Sequence, residues 1–407
     1  MTNSNVPGAA LRAAWDRFRA AQEEIRQWTE NTGRFKNNPR DRAKAYHTLF
    51  EATAMAYNQA IAPRMHQPRI YSNVAWQTDI YTLGQNGPDL FYATTYLDGK
   101  MDYKLTVRFG DLVYVLAQVV TFLSGHPDSK AFGNHELMNF APNADGKVEF
   151  LLSATQKQGN WIPLYADSSY NMVLFRRFLK DPNDDHGEFR IERISPIPRD
   201  HYDSHEFEEA PMVERINRAI QFMRYLVQFF NIGLYDFYVG NAGEKNKMRF
   251  LPRTVTSEIA SPSSNYAMAI YSLEDDEALI IELDKVPDGI YWGFQTGNVW
   301  SRSLDVRYSQ TNLNMTQLAV DKDGAVRVVV SRKDPGIQNW LDTTGYKEGT
   351  VVFRNYRTEL EPVPTTTRVK FADLNAVLPR TTARVTPEQR AKSIAHRGEG
   401  MWKLYGE

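Results

Sequence analysis

The stretch His201-Tyr202-Asp203-Ser204-His205-Glu206 is where the chain comes nearest to a metal motif. On a helix the two imidazoles would stand one turn apart on a shared face, and a nearby carboxylate could complete a zinc or non-haem iron site. The segment follows Pro196 and Pro198, however, which favour an exposed linker, and no third ligand stands at a fixed spacing. We therefore expect no metal. His135-Glu136 lacks the second histidine of a zinc-protease motif, and neither a Gly-x-Ser-x-Gly elbow nor a phosphate-binding glycine loop occurs. The complete lack of cysteine removes the cysteine nucleophile, iron–sulfur clusters, thiolate zinc and disulfides together. Carboxylate, Tyr and His are left for acid–base work, with no sign of a nucleotide or flavin, and the expected cofactor is none.

Such groups gather most densely from Tyr291 and Trp292 through Trp300 to Asp305, Arg307 and Tyr308. The chain holds 21 Tyr, 21 Phe and 8 Trp, more than a core needs to be merely apolar. Tyr71, Trp76, Tyr81, Tyr92 and Tyr266 also stand beside polar groups in turn-rich stretches. A cleft lined by Tyr291, Trp292, Trp300, Trp76 and Tyr92 would suit an apolar or aromatic small molecule. Asp305, Arg307, Tyr308 or Asp79 would orient it or move a proton. Aromatic residues also fill β cores, and the rival reading is a non-catalytic protein whose aromatic surface contacts a glycan or its own subunits. The enzyme reading requires a carboxylate or histidine of shifted acidity inside an apolar pocket; the rival requires aromatics on an open face.

The elements that must position these residues are written twice. Asp145-Gly146-Lys147-Val148, Ser153, Asn160-Trp161-Ile162 and Val173-Leu174-Phe175-Arg176-Arg177-Phe178 return as Asp323-Gly324-Ala325-Val326, Ser331, Asn339-Trp340-Leu341 and Val351-Val352-Phe353-Arg354-Asn355-Tyr356. Gly146 to Phe175 and Gly324 to Phe353 are both 29 positions. This is the mark of a duplicated domain. A residue kept in both copies serves the fold first, because one catalytic site does not need its reacting group twice. Asn160-Trp161 and Asn339-Trp340 therefore read as a turn amide with a buried aromatic. Arg176 and Arg354 share a strand face with Phe178 and Tyr356. If buried, they need a carboxylate or several carbonyls, and the alternative is an anionic ligand.

Within each copy the hydrophobic period is two. Tyr103, Leu105 and Val107 alternate with Lys104, Thr106 and Arg108, and the turn signal Asn143-Ala144-Asp145-Gly146 precedes another strand. Short strands broken by Gly, Asn and Asp turns, without alternating helices, favour β-sandwiches over a doubly wound sheet. Ahead of them, Leu11, Trp15, Phe18, Ile25 and Trp28 form one helical stripe, and Tyr46, Leu49, Phe50, Ala54, Tyr57 and Ile61 a second, which together should pack on the following domain. A third helix from Pro211 to about Gly233 links the copies. A capping box at Thr386-Pro387-Glu388-Gln389 opens a short terminal helix. The expected fold is mainly β with α decoration. It divides as 1–64 helical, 65–200 first sandwich, 201–245 helical linker, 246–370 second sandwich and 371–407 tail.

In the second copy, Gly289-Ile290-Tyr291-Trp292-Gly293-Phe294, Asp305-Val306-Arg307-Tyr308-Ser309, Lys322-Asp323-Gly324, Asn339-Trp340-Leu341 and Val352-Phe353-Arg354-Asn355-Tyr356 together resemble the DUF1214 family. The first copy, preceded by Asn86-Gly87-Pro88-Asp89-Leu90-Phe91-Tyr92, is similar to a DUF1254-like N-terminal half. The resemblance spans roughly residues 65–365. It implies tandem jelly-roll-like domains and no agreed activity. Two departures stand out: Asp305-Val306 replaces the Asn usual before Arg-Tyr-Ser, and Asp342 replaces the Pro usual after Trp-Leu.

Lys and Arg number 48 against 49 Asp and Glu, a net charge of −1 without a basic block, so nucleic acid is not an expected partner. No leader pattern opens the chain and no apolar run reaches the roughly 18–20 residues of a membrane span. The sequence reads as a soluble cytoplasmic protein with a small-molecule ligand, no membrane partner, and homo-oligomerisation left open.

Overall fold

The computed structural model describes residues 7–71, 81–85, 87–122, 128–196, 207–239, 244–250, 264–358 and 363–405. Strands β1 (Leu90–Leu97), β2 (Tyr103–Arg108), β3 (Tyr114–Val120), β4 (Ala131–Glu136), β5 (Val148–Ser153), β6 (Trp161–Pro163), β7 (Asn171–Phe178) and β8 (Glu188–Arg193) make the first copy. They form two sheets, β1-β7-β3-β4 and β6-β5-β2-β8. The second copy adds β9 (Arg249–Phe250) as an edge strand. It continues with β10 (Ser264–Ser272), β11 (Glu277–Leu283), β12 (Tyr291–Asn298), β13 (Asn312–Asn314), β14 (Val326–Ser331), β15 (Trp340–Asp342), β16 (Glu348–Tyr356) and β17 (Thr365–Lys370). Its sheets, β13-β12-β16-β10-β9 and β15-β14-β11-β17, repeat the first pair strand for strand.

Each pair of sheets closes on its own apolar core. Phe91, Leu105, Val115, Phe150 and Phe175 are buried together in the first, and Ala267, Ile281, Phe294, Val328 and Phe353 in the second. Along β2 the buried and half-buried residues alternate, as the period of two requires. The repeated motifs are repeated parts of the frame. Gly146 and Gly324 turn the chain into β5 and β14 at φ 72° and 85°, a left-handed conformation that disfavours a side chain. Asn160 Nδ2 donates to Glu149 O and Asn339 Nδ2 to Arg327 O, both at 2.9 Å. Trp161 Nε1 donates to Ser153 O at 2.9 Å and Trp340 Nε1 to Ser331 O at 3.2 Å. Asparagine and tryptophan thus tie the short parallel strands β6 and β15 to β5 and β14.

The helices cover the outer face of β1-β7-β3. α1 (Ala9–Glu30), α3 (Pro39–Ala56) and α4 (Glu209–Tyr225) supply Ala21, Ile25, Ala52, Met55, Ala219 and Met223 to a core shared with Tyr96, Met172 and Leu174, and the short α2 (Gly33–Asn37) joins α1 to α3. The stripe expected on α3 is rotated. Leu49 is buried as expected, but its buried companions are Ala45, Thr48, Ala52, Met55 and Ala56, whereas Phe50 is 74% and Tyr57 57% exposed, and on α1 Trp15 is 56% exposed. Small residues win the buried face because they let the helix axes approach closely.

The linker does not stop at Gly233. α4 runs into a π-helix, Leu226–Gly233, and then α5 (Leu234–Val239). The terminal helix α6 (Pro387–Tyr405) is 19 residues long rather than short. It straddles both sandwiches: Arg390 pairs with Asp334 at 2.9 Å in the second, and His396 meets Asp181 at 2.7 Å in the first. No described helix is long and apolar enough to cross a membrane.

Candidate ligand site between the two sandwiches

The outer faces of β1-β7-β3 and β10-β16-β12 meet through Leu90, Tyr114, Leu116 and Phe178 on one side and Tyr291 and Tyr356 on the other. The Phe178 ring stands edge-on to Tyr356 at 4.7 Å and to Tyr291 at 5.3 Å. Tyr114 is in register with Phe178, as Tyr291 is with Tyr356, so each copy contributes the same pair. Further along the same faces, two residues on in β7 and β16 and four in β3 and β12, polar groups follow. Arg176 lies beside Tyr92 and donates to Gln118 Oε1 at 3.2 Å. Arg354 lies beside Tyr266 and donates to Gln295 Oε1 at 2.7 Å. Both arginines are buried.

A segment ahead of β1 crosses onto the second sandwich. Gly297 stands two residues from Gln295 on the outer face of β12, and its missing side chain leaves room for the crossing chain. A Cβ on Gly297 would lie 2.0 Å from Gln85 Nε2 and 2.6 Å from Thr350 Oγ1. Gln85 returns its backbone carbonyl to Arg354. Four residues on, the Asp89 carboxylate accepts from Asn314 Nδ2 at 2.6 Å, from Asn312 Nδ2 at 3.3 Å and from the Tyr291 hydroxyl. Burial pushes the Asp89 carboxyl up from its ordinary value, while the bonds from Asn314 and Tyr291 and the charge of Arg397 on α6 pull it back. The Tyr266 and Tyr356 hydroxyls are hydrogen-bonded to each other. Burial carries Tyr266 up to about 12, against the charges of Arg354 and Arg176, both close enough to bear on it.

The linker roofs this joint. Phe230 and Ile232 of the π-helix pack with the helical layer of the first sandwich, while Leu234 and Tyr235 pack on Met268, Ile270 and Val352 of the second. A second π-turn, Tyr57–Ile61, places Ile61 in the same layer, and its Asn58 donates to the Tyr81 hydroxyl at 2.9 Å. The wider i→i+5 turn is rare and recurs at functional sites. Tyr92 packs in this layer, and the Tyr92 and Tyr266 rings are both half-buried.

The DUF1214 family model, described as a protein of unknown function, matches residues 93–181 and 279–360. These segments fall in the first and second sandwich respectively. The crystal structure of an uncharacterized protein from Burkholderia cenocepacia is similar to 89% of this chain and 98% of its own, at 25% identity and a TM-score of 0.77. The VPA0106 protein of Vibrio parahaemolyticus is similar to 80% of this chain and 97% of its own, at 13% identity and a TM-score of 0.47. No curated protein matches the chain.

Of the residues singled out in the sequence, the joint brings together Tyr92, Tyr266 and Tyr291. Trp292 points the other way, into the core of the second sandwich. Trp300 is fully buried, donating from Nε1 to Asp41 O at 3.2 Å with the Arg34 guanidinium 4.5 Å from its ring, and it anchors α3 to the second sandwich. Asp305, Arg307 and Tyr308 lie in a surface turn. Asp305 accepts from the backbone of Arg307 at 3.0 Å and of Tyr308 at 3.1 Å, Arg307 stacks on Trp402 at 4.6 Å, and Tyr308 is 69% exposed. Trp76, Asp79, His201 and His205 lie outside the described residues. Among those described, no three metal-ligating side chains converge. Asp89, Gln118 and Gln295 were not marked as site residues, and Tyr356 was marked only as a strand-face neighbour of Arg354. Asp89 sits inside the quoted Asn86–Tyr92 motif, and the two glutamines carry no motif at all.

Proposed function

We propose that the protein binds an apolar or aromatic small molecule between the outer faces of its two sandwiches, against Tyr92 and Tyr266 and beneath the π-helix. The observation that carries this reading is that Tyr92 and Tyr266 lie beside the buried Arg176 and Arg354 at one joint. Two half-buried rings there face polar groups held in fixed positions. If the ligand is transformed, proton transfer falls to the Tyr266–Tyr356 hydroxyl pair and to Asp89 with Tyr291, without a cofactor. Native mass spectrometry of the purified full chain tests the reading. A retained organic molecule, lost in Tyr92→Ala and Tyr266→Ala but kept in Tyr308→Ala, is the expected result. A protein that emerges empty and takes up no aromatic compound refutes it.

The exposed Phe50, Tyr57 and Trp15 favour a second reading, in which the helical layer assembles with further copies of the chain. Light scattering would then show an oligomer that Phe50→Glu breaks. We also take the first half to be DUF1254-like, on Asn86–Tyr92, and the protein to work in the cytoplasm, where a cysteine-free chain is at no disadvantage.

A further inference from the structure

Arg354 is a buried cation held by neutral groups. Its Nη1 donates to Gln295 Oε1 at 2.7 Å and its Nη2 to the Gln85 carbonyl, and among the described residues no carboxylate pairs with it. A guanidinium removed from water without a counter-charge is costly, and its planar fork of donors matches the two oxygens of a carboxylate. Tyr266 stands opposite Arg354 in the β10–β16 register, with its ring half-buried and its hydroxyl bonded to Tyr356. Aromatic surface and unneutralised positive charge therefore lie side by side on one sheet face. Resting on the reading above, we infer that the ligand of this site is an aromatic carboxylate, its ring against Tyr266 and Tyr92 and its anionic group received by Arg354.

Matched acid and amide probes separate the two claims. Benzoate with benzamide, and 2-naphthoate with 2-naphthamide, would be titrated into the full chain by calorimetry and thermal shift. Each acid should bind about ten- to a hundred-fold more tightly than its amide, the range expected for a hydrogen bond to a charged group. Arg354→Met should erase that preference while leaving amide binding. Gln295→Glu places a carboxylate within reach of Arg354 in the protein itself. It should raise the melting temperature and weaken acid binding by about the same factor, and it remains informative if Arg354→Met does not fold. Equal affinity for acid and amide, or unchanged acid binding in Gln295→Glu, overturns the carboxylate and leaves the aromatic site standing. Failure of all four probes to bind at millimolar concentration overturns both.

Discussion

Replacing Asp89 by alanine should destabilise the protein by about 3–5 kcal/mol, the scale for breaking a buried charged network by removing one partner. Asp89 comes from the segment leading into β1, its partners Tyr291, Asn312 and Asn314 from the second sandwich, and Arg397 from α6, so one carboxylate ties three parts of the molecule. Asn314 keeps a second acceptor in Lys180 O at 2.8 Å, whereas the Asn312 amide and the Tyr291 hydroxyl lose the bonds they make to Asp89. Each group so orphaned costs about 1–3 kcal/mol. Arg397, which donates to Asn312 O at 2.6 Å, also loses a negative charge that bears on it. The relief of no longer burying a carboxylate offsets part of the sum. Urea unfolding of Asp89→Ala, Tyr291→Phe and the double variant would measure the loss, with a coupling of about 0.5–3 kcal/mol expected between the two sites. A loss below about 1 kcal/mol, or zero coupling, would refute the reasoning. The pH dependence supplies a signed check. Burial raises the folded carboxyl above its ordinary 3.8, so between those values the folded state holds a proton that the unfolded state has released. The contribution of Asp89 is thus complete below about pH 3.8 and declines as pH climbs through the raised folded value. The stability of wild type relative to Asp89→Asn should fall with rising pH, and a difference that grows would contradict the assignment.

The duplicated tryptophans should behave alike. Trp161→Phe and Trp340→Phe each lose an indole hydrogen bond to a strand carbonyl, for about 1 kcal/mol apiece by urea unfolding. Two glycines should behave differently. A methyl at Gly99 would lie 1.8 Å from the Tyr165 carbonyl oxygen, and overpacking against backbone there should cost about 3 kcal/mol or more. At Gly146 nothing stands within 4 Å, so alanine should cost only the left-handed backbone, about 1–2 kcal/mol by thermal melting. Thr386 accepts from Gln389 N at 3.2 Å while Gln389 Oε1 accepts from Thr386 N at 2.8 Å, and Thr386→Ala should cost about 1 kcal/mol, seen as faster amide exchange at the start of α6.

The sequence by itself determined the doubled frame. Strand alternation, the Asp-Gly turns and the Asn-Trp pairs are local signals, and a register two residues long on one sheet face places Arg176 next to Phe178 and Arg354 next to Tyr356 wherever the sandwiches end up. It also showed that buried arginines there would need a carboxylate or several carbonyls, and Gln118, Gln295 and Gln85 supply carbonyls. The face each helix buries was less legible, because on α3 close packing of alanines outweighs the larger apolar area of Phe50 and Tyr57. Which residues meet at the joint was decided only in three dimensions. Tyr291 and Trp292 are neighbours in the chain, yet strand geometry sends the first into the joint and the second into a core. Asp305, Arg307 and Tyr308 look concentrated in sequence and end in an exposed turn. Asp89 finds partners more than 200 positions away because two sandwiches dock by their outer faces, and docking depends on the shape of whole surfaces, which no local spacing encodes.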